Sequence, residues 1–210
     1  MPDNAKRVSG PKVWNVPNQV TMARLVLSIV LFVLLTFHFY TASLVVFIIA
    51  AGTDWVDGYW ARKYGQVTQL GRILDPFADK LIICGTFAYL AAAPQLRDGS
   101  PASGVEAWVA VLILAREIGV TALRSFVETQ GGDFSAKWAG KWKMVFQCLA
   151  ACFSIGQLRY YNFATRKLVD EPEWNWWGLQ IFLWTAVALT VYSGVEYVMA
   201  AMRMIRESDR

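Results

Sequence analysis

Of the 210 residues in this chain, 56% are apolar and ten are tryptophan, and the mean hydropathy is +0.35, which excludes an ordinary water-soluble domain. The formal charge of +4 comes from 20 Lys and Arg against 16 Asp and Glu, and its placement points to membrane orientation and anionic lipid rather than nucleic acid. A single histidine, His38, rules out Ser-His-Asp, Cys-His and HExxH chemistry, so acid–base work falls to carboxylates, Lys or Tyr.

The chain opens on "MPDNAKRVSGPKVWNVPNQ", too polar for a signal peptide and followed by no small-residue cleavage site, so the first apolar run is expected in the mature protein. Residues 1–15 suit a short interfacial helix with Trp14 at headgroup level. Apolar windows follow at 18–38, 42–62, 72–93, 105–128, 137–157 and 175–203. Each is close to the ~20 residues that a helix needs to cross ~30 Å of hydrocarbon. They predict an all-α integral membrane protein with six transmembrane helices in one bundle. The expected organisation is a cytoplasmic segment at 1–17, a transmembrane domain at 18–203 and a cytoplasmic tail at 204–210. The N-terminal segment, the second and fourth connections and the C-terminus carry twelve Lys and Arg. The opposite side has four: Arg97, Arg159, Arg166 and Lys167. That imbalance puts both termini in the cytoplasm and the chain in the inner (cytoplasmic) membrane as a multi-pass protein.

Between the second and third windows stands "DWVDGYWARKYGQVTQLGRILDPFADK", residues 54 to 80, with four aspartates. An ionised carboxylate at mid-bilayer costs at least ~2.5 kcal/mol, so four of them require an explanation. Asp54, Asp57, Gly58 and Ala61 are three or four apart, as are Gly71, Asp75 and Asp79, so each set shares one helical stripe. Pro76 fits if the third helix starts near Arg72, where the first turn has spare N–H groups. Carboxylates converging from two antiparallel helices repel unless protons or cations sit among them. With no His or Cys nearby, an all-oxygen site suits Mg²⁺ or Mn²⁺, and a pair of such ions ~4 Å apart is suited to phosphoryl transfer. Pairing of single aspartates with Arg62, Arg72 or Lys80 is the plainer alternative. An ion or proton pathway is a functional one, weakened because, away from the window ends, Glu117 and Glu196 are the only carboxylates in the other four windows.

The run Asp54, Asp57, Gly58, Ala61, Arg62, Gly71, Asp75, Asp79 resembles, without a departure, the signature of the CDP-alcohol phosphatidyltransferases. These are six-helix membrane enzymes, usually homodimers, that exchange the CMP of a CDP-linked lipid for an alcohol. The resemblance implies that Asp54, Asp57 and Asp75 bind a first divalent cation, and Asp54, Asp75 and Asp79 a second. Asp79 would also deprotonate the incoming hydroxyl. Gly58, Arg62, Thr68 and Gly71 would contact the CDP moiety of CDP-diacylglycerol, at an active site facing the cytoplasm. Upstream, "VPNQVTMAR" resembles the family's P-N-x-x-T-x-x-R entry, which extends the nucleotide contacts to Pro17, Asn18, Thr21 and Arg24; an N-x-x-T is equally a helix cap.

Two further segments bear on the acceptor. "LAREIGVTALRSF", residues 114–126, and "AGKWKMVFQ", residues 139–147, resemble parts of the phosphatidylglycerophosphate synthases, which attach glycerol 3-phosphate; Met144 stands where Thr is usual. Arg116 and Arg124, eight apart in an apolar helix, with Lys141 and Lys143 at the start of the next, are the cations that a phosphate dianion needs. Alternatively Arg116 pairs with Glu117 or Glu196, and the lysines only set orientation. Inositol phosphate, or phosphatidylglycerol as in cardiolipin synthesis, are other acceptors within the family. Cys84, Cys148 and Cys152 have no His nearby and read as packing residues. The C-terminal window is Trp-rich at one end and basic at the other. Its Tyr192 and Tyr197 read as packing, and Ala186, Ala188 and Ser193 as a helix contact or dimer seam.

Overall fold

The structure, a computed structural model, describes the backbone of residues 16–64, 69–129 and 138–208. Side chains are described within them except at 16–18, 54–64, 69–73, 75, 126–129, 138–141 and 204–208. Six helices account for nearly all of it: α1 (Val16–Thr36), α2 (Tyr40–Tyr64), α3 (Gln69–Ala91), α4 (Ala107–Thr129), α5 (Trp138–Leu158) and α6 (Glu173–Ser208). α1 packs on α2 and α3, α5 packs on α6 and α2, and α4 bridges α3 and α6. The six apolar windows thus each become a helix, with ends displaced by a few residues. The interfacial helix expected within 1–15, and Thr68, lie outside the described residues.

The expectation of six transmembrane helices is corrected. Among the described residues, two helices are long and apolar enough to cross a membrane: α1 over Gln19–Thr36 and α6 over Glu173–Arg203. The apolar part of α2, Tyr40–Thr53, is shorter. The reason is the charge that the other helices carry. Asp75, Asp79 and Lys80 interrupt α3; Arg116, Glu117 and Arg124 interrupt α4; Lys141 and Lys143 open α5. A twenty-residue window can include such charges and still be mostly apolar, but it is then no unbroken apolar run. A second difference concerns Pro76. α3 begins at Gln69, so Pro76 lies inside the helix rather than in its first turn. Its missing N–H leaves the Arg72 carbonyl without a helical donor beside Asp75 and Asp79.

The end of the bundle away from the aspartates is closed by short-range geometry. α1 stops in a Schellman turn: Phe39 N–H donates to Leu34 O (2.9 Å) and His38 N–H to Leu35 O (3.1 Å), with His38 at φ 62°. The His38 ring meets the Tyr40 hydroxyl at 2.9 Å and tilts against Phe163 with centroids 4.7 Å apart, a structural task for the only histidine. The connection from α3 to α4 is pulled into the core, where its polar backbone needs partners. Ser154 Oγ donates to Ser103 O (2.7 Å), Gln157 Nε2 to Ala102 O (3.1 Å) and Ser103 Oγ to Leu90 O (2.6 Å). In the long connection from α5 to α6 a short hairpin forms, β1 (Tyr161–Asn162) against β2 (Lys167–Leu168), with Tyr161 opposite Leu168. Asn162 Oδ1 accepts from the N–H groups of Ala164 and Thr165, and Tyr161 OH donates to Gln95 O at 3.1 Å. Ser100 donates to the Asp98 carboxylate from both its N–H and its hydroxyl, which holds that carboxyl below its ordinary range.

The core runs through the bundle centre, with Leu31, Phe47, Phe87, Ile113, Ile155 and Leu179 fully buried. Ala186 and Ser193 are buried inside the same chain, where they belong to an internal helix contact, and Ala188 is exposed. α5 and α6 approach closely at Gly178, where a Cβ would stand 2.1 Å from the Phe153 ring. Gly52 of α2, by contrast, has open space around it. Gly178→Ala is expected to destabilise the bundle by about 1–3 kcal/mol through overpacking. Gly52→Ala should be neutral or stabilising by up to about 1 kcal/mol. Thermal unfolding of the two variants in detergent micelles checks both signs.

Candidate active site

Helix register places Asp54, Asp57, Gly58 and Arg62 in the last turns of α2, and Gly71, Asp75 and Asp79 in the first turns of α3, which α2 contacts. Of the four aspartates, Asp79 has a described side chain, half-buried at the wall of a cleft of about 140 Å³. The rest of the lining comes from Lys80 and Ile83 on α3, Glu117 on α4, and Lys143, Met144 and Gln147 on α5. Helical spacing explains the set: Asp79 and Ile83 are one turn apart, as are Lys143 and Gln147.

The charged residues of the cleft are tied together by one carboxylate. Glu117 Oε1 accepts from Lys143 Nζ and, at 3.2 Å, from Arg116 Nη1. These side chains are only 6%, 9% and 13% exposed for Lys143, Arg116 and Glu117. A buried charge without a partner is costly, so the shared carboxylate is what permits two cations there. Arg116 is fixed further: its Nε donates to Ser193 Oγ (3.2 Å), and its guanidinium lies 5.6 Å from the Tyr197 ring centroid. Ser193 Oγ donates in turn to Thr190 O (3.2 Å), and Gln147 Nε2 donates to Thr190 Oγ1 (3.3 Å). α4, α5 and α6 are therefore locked by one polar network. On the α3 side, Lys80 Nζ donates to Thr121 Oγ1, whose hydroxyl donates to Glu117 O (2.7 Å).

The residues singled out from the sequence distribute as follows. Asp79, Arg116 and Lys143 come together around the cleft. Arg124, two turns beyond Arg116, is exposed and does not line it. Thr21 and Arg24 are both 2% exposed on the interior face of α1. Pro17 and Asn18 fall in the first turn of α1, Lys141 in the first turn of α5, and their side chains lie outside the described set. Thr121 and Gln147 were not anticipated as site residues, and Lys80 and Glu117 only as ion-pair partners. Lys80 adjoins Asp79 and Gln147 is one turn from Lys143, which is the signal that sequence offers. Met144, where the resembling segment has Thr, lines the cleft and gives it an apolar wall.

Among the described residues, no group of three or more His, Cys, Asp or Glu is placed to hold a metal ion. The donor set at issue is four carboxylates, three of them on side chains outside that description. Carboxylates alone, with no imidazole or thiolate, fit a hard divalent cation.

Comparison with known proteins settles the class. The family model for CDP-alcohol phosphatidyltransferase matches residues 14–192. The chain belongs to that family. It is therefore a phosphatidyltransferase, of a family whose chemistry depends on divalent cations, and its two apolar helices accord with association with a membrane. The CDP-diacylglycerol–glycerol-3-phosphate 3-phosphatidyltransferase of Bacillus subtilis (strain 168) is 32% identical over 212 residues, covering 94% of this chain and all of that protein. The enzyme of the same description from Pseudomonas fluorescens is 33% identical over 209 residues, covering 93% and 94%. A cardiolipin synthase (CMP-forming) from Oryza sativa subsp. japonica is 35% identical over 216 residues, covering 97% of this chain and 62% of that one.

In this phosphatidyltransferase, Glu117→Ala strips two buried cations of their counter-charge. It is expected to cost about 3 kcal/mol or more of stability, seen as a lowered unfolding temperature of the detergent-solubilised protein.

Proposed function

We propose that this phosphatidyltransferase moves the phosphatidyl group of CDP-diacylglycerol to sn-glycerol 3-phosphate, giving phosphatidylglycerophosphate and CMP. One observation carries the reading beyond the family: Asp79, the proposed base, and Lys143, a proposed phosphate ligand, line the same cleft, with Arg116 joined to Lys143 through Glu117. Reaction at a hydroxyl on a phosphorylated acceptor needs a base and phosphate-binding cations within one small molecule's reach.

The roles proposed are these. Asp54, Asp57, Asp75 and Asp79 hold two divalent cations, Mg²⁺ by preference. When bound, the cations neutralise the pyrophosphate and the departing CMP. Gly58, Arg62, Thr68 and Gly71, with Pro17, Asn18, Thr21 and Arg24, contact the CDP moiety. Arg116, Lys141 and Lys143 serve the acceptor phosphate; Arg124, expected with them from its spacing, does not line the cleft and is given no contact there. Asp79 takes the proton of the C1 hydroxyl; the alkoxide oxygen bonds to the phosphorus that bears diacylglycerol, and the bond from that phosphorus to CMP breaks. No Ser, Cys or His stands within the signature to form a covalent intermediate, so transfer is direct, with inversion at phosphorus. The enzyme works as a homodimer in the cytoplasmic membrane, with the charged end of the bundle and both termini towards the cytoplasm, a reading that the twelve-to-four Lys and Arg imbalance supports.

The similarity to a cardiolipin synthase favours one competing acceptor, phosphatidylglycerol. Purified protein given radiolabelled CDP-diacylglycerol and, separately, glycerol 3-phosphate, phosphatidylglycerol, inositol phosphate, inositol and serine decides between them. Product with glycerol 3-phosphate alone is expected, and product only with phosphatidylglycerol overturns the assignment. For the base, Asp79→Asn is expected to keep CDP-diacylglycerol binding while turnover falls by about 10²–10⁴. Near-normal turnover in that variant places the base elsewhere.

A further inference from the structure

Two lysines line the cleft beside Asp79, and their circumstances differ. Lys143, on α5, is buried, and Glu117 compensates its charge. Lys80, on α3, is half-buried, and its ammonium donates to the neutral hydroxyl of Thr121. Among the described residues it meets no carboxylate. Thr121 and Glu117 are one turn apart on α4, and the Thr121 hydroxyl is itself oriented by donating to Glu117 O at 2.7 Å. One face of α4 therefore carries two anchors, a carboxylate for Lys143 and a hydroxyl for Lys80.

Charge balance separates the two lysines in function. Arg116 and Lys143 share a single carboxylate, which leaves one net positive charge on that side of the cleft. On the α3 side Lys80 stands next to the Asp79 carboxylate, so the described lining with Arg116 keeps one net positive charge. That excess suits an anionic ligand, and Lys80, which among the described residues has no ion pair to give up, offers the larger gain on contact. Lys80 also directly follows Asp79, so a phosphate held there keeps the rest of a small acceptor next to the carboxylate.

We propose that Lys80, poised by Thr121, is a ligand for the phosphate of the acceptor and a determinant of selection for a phosphorylated alcohol. The assignment deepens the reading of glycerol 3-phosphate as acceptor and rests on it. The hydroxyl of Thr121 acts as a positioning group: it holds the ammonium over the cleft without cancelling its charge, as a carboxylate in its place would.

Steady-state kinetics of the full-length enzyme with both substrates varied tests this, using Lys80→Met, Lys80→Arg and Thr121→Val. Lys80→Met is expected to raise the KM for glycerol 3-phosphate by about 10-fold to 100-fold, the loss of one hydrogen bond to a charged group. The KM for CDP-diacylglycerol should stay within about 2-fold. Lys80→Arg, which keeps the charge, should recover most of the loss. Thr121→Val, at an exposed position where folding is not at risk, should raise the acceptor KM several-fold with the lysine intact. Equal effects of Lys80→Met on both KM values, a fall in kcat alone, or a Thr121→Val enzyme indistinguishable from wild type each overturn the proposal. Inorganic phosphate as an inhibitor provides the separate control. If the wild type turns over another acceptor and not glycerol 3-phosphate, the functional reading fails. Weaker phosphate inhibition in Lys80→Met would still uphold the phosphate site, and unchanged inhibition would end it.

Discussion

The site depends on one carboxylate that serves two cations. Glu117 accepts from both Arg116 and Lys143, in surroundings that leave each side chain almost without water. Removing a guanidinium and an ammonium from water costs several kcal/mol each, and opposite charge at contact distance is what offsets it. Among the described ion pairs Glu117 alone serves both cations, so this cluster keeps one positive charge in excess. With that carboxylate, the cations are tolerated in the fold and a positive charge remains for chemistry. Ser193, Thr190, Gln147 and the Tyr197 ring then satisfy the hydrogen bonds that an ion pair alone leaves open.

The two ends of the bundle are built on different terms. At the end away from the aspartates, connections fold into the core and bind tightly, through Ser103, Ser154, Gln157 and the hairpin that covers Gln95. The other end concentrates charge, and three of the helices lose their unbroken apolar length to it. That conflict is the physical content of the count of spanning helices. α1 and α6 are apolar enough to cross a bilayer because they carry little of the cleft's charge, whereas α3, α4 and α5 line it. α6 still contributes to the network, but through hydroxyls and a ring rather than ions.

Much was legible in the chain itself. Periodic apolar windows determined where six helices lie, because a helix-length run of such residues leaves few other ways to satisfy its backbone. Spacing of Asp54, Asp57, Gly58, Ala61, Arg62, Gly71, Asp75 and Asp79 carried the family resemblance, because steps of three and four put side chains on one helical face. Local turn chemistry was less legible: His38 at φ 62° and Pro76 inside α3 both run against residue preference, and the surrounding packing overrides it.

Only the tertiary structure decided which of the charged residues meet. Arg116 and Arg124 look equivalent along α4, yet Arg116 joins the cleft network and Arg124 is exposed, because contact depends on where α6 packs on α4 and on which side chain Lys143 of α5 reaches. Lys80, Thr121 and Gln147 gain their meaning in the same way, from neighbours 41 and 43 positions away in the chain. Spacing along one helix sets a face, but which cation a carboxylate on that face will hold is a long-range fact, fixed when three helices pack and water is expelled between them.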